Sequence, residues 1–180
     1  MKNGSVIAFH SNFKLRHAIT KPLHYLIQWG TGSKFHHVGI YCDGYFYEAI
    51  GKDGVKKIKF KQKQDEIDAC VDIHVFAPEK TLTKDQVERM IIDLDSQLGK
   101  KYSILEALGS VLTAIIFFDR DEIKTKKQFC SKLVFYAYRN IYPNKLNHIL
   151  PRTINPEELL KILKRFKLIK EIGEVINGSA

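Results

Sequence analysis

The chain has 180 residues, with 29 Lys and Arg against 20 Asp and Glu, and three cysteines. That length can bury a full core, and no linker rich in Pro, Gly or Ser, internal repeat or low-complexity tract divides it, so residues 1–180 are expected to form one domain. Cys42, Cys70 and Cys130 are odd in number and widely spaced, and no histidine pair has metal-site spacing. A disulfide framework, a metal and a cofactor are therefore not expected.

Taken in chain order, GSVIAF (4–9) reads as a first strand. Thr20 as N-cap, Pro22 in the first turn and Gly30 after Trp29 predict a helix over 21–29. FHHVGIY (35–41) and YFYEAI (45–50) flank Asp43-Gly44, the signal for a hairpin closed by a two-residue type I′ turn. Asp53-Gly54 turns the chain into VKKIKF (55–60), and CVDIHVFA (70–77) makes a further strand. Thr83 and Gln86 form a capping box for a helix ending at Gly99. Residues 103–118 read as a very apolar helix whose ALGSVLTAIIFF segment (107–118) is too short to span a bilayer. A buried helix or cleft wall is expected there, with a lipid-contacting lid as the alternative. FCSKLVFYAY (129–138) predicts a helix opened by Cys130 and stopped by Pro143. Asn155-Pro156 with Glu158 starts another through Phe166, and KLIKEIGEVI (167–176) closes the chain as a short strand. The fold class is α+β: a meandering antiparallel sheet flanked by helices.

The hairpin register follows from its turn. Cys42 faces Tyr45, Tyr41 faces Phe46, Ile40 faces Tyr47 and Gly39 faces Glu48. Side chains alternate between faces and cross-strand partners share one, so His37, Gly39, Tyr41, Phe46, Glu48 and Ile50 project to the same side. His37 and Glu48 are diagonal neighbours with backbones roughly 7–8 Å apart. Gly39 is expected to leave room for the carboxylate to lean toward the imidazole, and His36 points the other way. By itself, such a pair fits a solvated polar contact as well as a working one.

Cys130 heads an apolar helical stripe formed by Leu133, Val134, Ala137, Tyr138 and Ile141. Its thiol is expected to face the interior, where a first-turn position and Lys126, Lys127 and Lys132 favour the thiolate. A packed structural cysteine has the same pattern. Thiol, imidazole and carboxylate together are the parts of a cysteine nucleophile with its base and orienting group.

In their order along the chain these motifs resemble the circularly permuted NlpC-like cysteine peptidases of the YiiX/YebB type, papain-like hydrolases in which the histidine strand precedes the nucleophile helix. The matching positions are His37-Val38-Gly39-Ile40, Glu48-Ala49, Gly99-Lys100-Lys101-Tyr102 and Cys130-Ser131-Lys132-Leu133-Val134. The resemblance spans roughly residues 4–140. It implies a papain-like fold with Cys130 as nucleophile, His37 as general base, Glu48 holding the imidazole and Tyr102 near the oxyanion. Phe129 and Lys132 depart from the family, which often carries an acidic residue just before the cysteine and an acidic or neutral one at the Lys132 position.

The expected function is thus a cysteine-dependent peptidase or amidase, with peptidoglycan-type peptides as the substrate the resemblance implies. The alternatives are a thiol acyltransferase or lipid esterase of the lecithin:retinol acyltransferase-like type, and a non-catalytic basic binding module. Excess positive charge in 56–63 and 161–170 suits an anionic polymer or membrane surface, or is only a solvated face. No nucleic-acid-binding signature accompanies it. MKNGSVIAFHSNFKLR lacks the apolar core of a signal peptide, so a cytoplasmic protein is expected, unless lysis or a phage particle delivers it elsewhere.

Overall fold

The computed structural model describes residues 1–11, 33–50, 53–66, 71–101, 130–149 and 154–176. Six strands form one sheet: β1 (Ser5–Ser11), β2 (His37–Cys42), β3 (Tyr45–Ile50), β4 (Gly54–Lys59), β5 (Val71–Pro78) and β6 (Ile169–Ile176). Their spatial order is β4-β3-β2-β1-β5-β6, and every neighbouring pair is antiparallel. Five helices accompany them among the described residues: α1 (Phe60–Glu66), α2 (Lys84–Ser96), α3 (Cys130–Ile141), α4 (Pro143–Leu146) and α5 (Pro156–Arg165). The architecture is α+β, as expected. The segments read as helices at 21–29 and 103–118 lie outside the described residues, as does Cys70.

The β2–β3 hairpin has the geometry its turn requires. Asp43 and Gly44 both have positive φ, 49° and 80°, and Cys42, Tyr41 and Ile40 pair with Tyr45, Phe46 and Tyr47. The ladder stops there, short of Gly39 and Glu48, while Glu48 continues to pair with Lys56 of β4. The expectation for Gly39 is corrected. A Cβ at that position would collide with the Phe46 ring and the Tyr47 carbonyl oxygen, so the missing side chain accommodates an aromatic ring and not the Glu48 carboxylate.

One face of the sheet carries the main core. Val6, Ala8, Val38, Ile40, Tyr47 and Phe76 pack there with α2, α3 and α5. The stripe foreseen on α3 is this contact: Leu133, Val134, Ala137 and Tyr138 are all essentially inaccessible. The Tyr138 hydroxyl donates to the Gly4 carbonyl at 2.6 Å, tying α3 to the start of β1. The predicted capping box of Thr83 with Gln86 forms, and the helix start at Asn155 is closed by a second one with Glu158. Asp95 of α2 anchors that helix to the sheet by accepting from Tyr47 Oη at 2.9 Å and Lys57 Nζ at 3.1 Å.

The other face holds Ile7, Phe9, Phe46, Ile73 and Val75, with Tyr41, Ile58 and Phe60 against them. Phe60 was expected to extend the fourth strand. Instead it opens α1, with its ring edge-on to Tyr41. Burying that ring on the second face turns the chain back over the sheet and redirects the lysines that follow. After α3, Pro143 does not leave a loop but starts the one-turn helix α4, a position where its missing N–H costs nothing. No helix among the described residues is long and apolar enough to cross a membrane.

Gly39→Ala is expected to destabilise the protein by about 1–3 kcal/mol, because the Phe46 ring must leave its place. Urea unfolding monitored by circular dichroism checks this.

Candidate active site

Glu48 sits on β3 with no exposed surface. Its Oε2 lies 2.9 Å from His37 Nε2, the diagonal contact that the hairpin register predicts. His36 is also buried, its backbone N–H donating to the Phe9 carbonyl. The His37 ring lies 5.4 Å from the Phe9 ring, which walls it on the β1 side. With Nε2 committed to Glu48, His37 is also near enough to Cys130 for imidazole and thiol to shift each other's ionisation. The carboxylate and imidazole are thus in direct contact, with the thiol close enough to be coupled to them electrostatically.

Cys130 opens α3 and is 5% exposed. It packs with the helix-facing core, whereas His37 lies against Phe9 of the opposite face. The two meet at the start of β2, beyond the end of the β2–β3 ladder. There the Val38 backbone N–H donates to the Cys130 sulfur. The buried Ser131 hydroxyl is 3.9 Å from the same sulfur.

The electrostatics follow from this geometry. Burial raises the Cys130 thiol, but the His37 hydrogen bond and charge, the Val38 N–H and the Ser131 hydroxyl outweigh it, and the net direction is down. Burial lowers His37, yet hydrogen bonds to Cys130 and Glu48 carry it up to about 9. For Glu48, burial is opposed by the His37 hydrogen bond and charge and by the Lys63 ammonium, and the carboxyl falls to about 2. All three shifts favour the same state: a thiolate and imidazolium backed by a carboxylate.

Sequence reasoning missed Lys63. From α1 it reaches Glu48 Oε1 at 2.9 Å, with Lys56 Nζ further off at 3.6 Å. Lys56 was legible, because it pairs directly across from Glu48. Lys63 was not, because its approach depends on the turn at Phe60. Val38 and Ser131 escaped notice as well; the only clue was their adjacency to His37 and Cys130. Tyr102 lies outside the described residues. The preceding Gly99 and Lys100 bond through their backbones to Val55 of β4.

No protein-family model and no curated protein matches the sequence. Among solved structures, the metalloprotein YiiX of Escherichia coli O157:H7 aligns with a TM-score of 0.52 and 20% identity. The alignment covers 95% of this chain and 87% of that one. The likeness is one of fold: the chain has a YiiX-like, papain-like arrangement of sheet and helices. The neighbour is a metalloprotein, but the donors between Cys130 and Lys63 in this chain do not fit a metal ion. Glu48 Oε1 faces an ammonium and Oε2 faces the imidazole, so both carboxylate oxygens are already engaged. No group of three or more His, Cys, Asp or Glu side chains among the described residues is arranged to hold one.

Because Glu48 is depressed from 4.5 to about 2 by folding, it stabilises the native state above pH 4.5, and that contribution disappears as pH falls toward 2. Urea titrations at stepped pH are expected to show this acid component in the wild type and to lack it in Glu48→Gln.

Proposed function

We propose that this protein is a cysteine-dependent hydrolase of amide bonds, a single-domain member of the permuted NlpC-like peptidases and amidases. What supports the reading is the 2.9 Å contact between Glu48 and His37 with Cys130 nearby at the start of α3, an environment that favours a lowered thiol and a raised imidazole ionisation. A structural cysteine buried among apolar neighbours has the opposite shift, as Cys42 shows: burial pushes it up to about 11.

In the proposed reaction, the Cys130 thiolate attacks the amide carbonyl carbon, and the carbonyl oxygen takes up the negative charge. The Cys130 backbone N–H holds that oxyanion, with Tyr102 as a proposed second donor. The His37 imidazolium gives its proton to the amine as the C–N bond breaks, leaving a thioester on Cys130. Neutral His37 then takes one proton from water as its oxygen attacks the thioester carbonyl, and the C–S bond breaks to release the carboxylic acid and restore the Cys130 thiolate beside the His37 imidazolium. Glu48 keeps the ring in the orientation and charge state that both steps need.

Peptidoglycan-type peptides are the proposed substrate class, on the strength of the motif resemblance. The basic segments suit an anionic polymer carrying such peptides, although three of the lysines in 56–63 are already engaged: Lys56 and Lys63 by Glu48, Lys57 by Asp95.

The test is the pH profile of iodoacetamide labelling at Cys130. The wild-type thiol is expected to ionise well below the ordinary ~8.5, and His37→Ala to restore the ordinary value. An ordinary wild-type profile sinks the proposal. Hydrolysis of peptidoglycan stem peptides is expected to fall by at least about 10³-fold in Cys130→Ala. Labelling of Cys130 by acyl esters and not by peptides overturns the amide assignment in favour of acyl transfer. The rate requires imidazolium, so activity is expected to decline as pH rises through about 9, the value at which His37 loses its proton.

A further inference from the structure

A carboxylate with no exposed surface needs its charge balanced. Glu48 spends Oε2 on His37 and offers Oε1 to two lysines that are not equivalent. Lys63 is within hydrogen-bond distance at 2.9 Å; Lys56, at 3.6 Å, is beyond it. Packing fixes Lys63 further. Its ammonium stands 5.7 Å from the centroids of both Phe9 and Phe46, a range in which cation and ring attract. Phe9 is also the ring against His37. One aromatic side chain therefore borders the imidazole and the ammonium, on either side of the carboxylate that joins them.

We propose that Lys63 is a positioning residue of this site: its ammonium completes an alternating row of thiolate, imidazolium, carboxylate and ammonium that sets the pH range of the Cys130–His37 ion pair. The proposal rests on the cysteine-hydrolase reading and deepens it. A buried carboxylate facing only an imidazolium would hold the imidazolium proton too tightly for easy transfer to a leaving amine. Lys63 draws part of that negative charge and makes Glu48 a milder acceptor. The sign is unambiguous, because a nearby cation favours loss of a proton from every adjacent acid. Removing it raises the ionisations of Glu48, His37 and Cys130 together. Among the described residues, the groups facing Glu48 and His37 are Lys56 from β4, Lys63 from α1, Cys130 from α3 and the Phe9 ring from β1. Lys56 remains in the variant and limits the shift.

The experiment records iodoacetamide labelling of Cys130 against pH in the wild type, Lys63→Met and Lys63→Arg, with the full chain in each case. Methionine keeps an unbranched apolar stem beside the two rings and removes the charge together with its hydrogen bond to Glu48. The thiol ionisation is expected to move up by about one pH unit in Lys63→Met and to return to the wild-type position in Lys63→Arg. A purely structural Lys63 would lower the melting temperature without moving the profile, and that result overturns the proposal. If Lys63→Met does not fold, Lys63→Gln makes the same comparison. A depressed wild-type ionisation left unmoved by loss of the charge refutes the role of Lys63 alone. An ordinary ionisation in the wild type overturns the hydrolase reading and this proposal with it.

Discussion

Glu48 is an ionised carboxylate with no contact with water, and much of the molecule's organisation answers that one fact. An isolated buried charge costs several kcal/mol, and the cost is offset only when partners of opposite charge and good geometry surround it. Here the partners come from three separate elements. His37 arrives from β2, Lys56 from β4 and Lys63 from α1, all converging on two oxygens. The hairpin turn, the β3–β4 pairing and the turn at Phe60 must all form before the carboxylate is satisfied. Folding and assembly of this polar chain are therefore the same event.

The thiol reaches the chain by a different route. α3 is bound to the sheet by an apolar stripe on the face that carries Val38 and Ile40, while His37 and Phe9 belong to the other side. A helix packed over the middle of an intact ladder would leave thiol and imidazole separated by the sheet. The β2–β3 ladder ends at Ile40 and Tyr47, so the start of β2 is open to α3. The Val38 N–H turns to the sulfur there, and His37 is near enough for imidazole and thiol to shift each other's ionisation. Gly39 supports this opening indirectly, by letting the Phe46 ring fill the place where a side chain would otherwise stand.

Positive charge in the 56–63 run is partly internal in consequence. Lys57 pairs with Asp95 and stands 4.7 Å over the Tyr45 ring, so it braces α2 against β4. Lys56 and Lys63 serve the buried carboxylate. Reading a cluster of lysines as an open electrostatic surface overlooks that carboxylates elsewhere in the fold claim them.

What the sequence by itself determined was local. Asp43-Gly44 specifies a turn whose positive φ values set the register, and register alone selects His37 over His36 and aligns it with Glu48. Capping boxes and a 3.6-residue apolar period likewise mark helices without reference to the rest of the chain. Tertiary structure decided what depends on burial competition between distant segments. Whether Phe60 continues a strand or starts a helix turns on an apolar face assembled from β1, β2 and β3, and Lys63 follows from that outcome. The meeting of Cys130 with His37 likewise depends on where a ladder stops and where a helix docks. Neither is encoded in local periodicity, because both are set by packing between residues far apart in the chain.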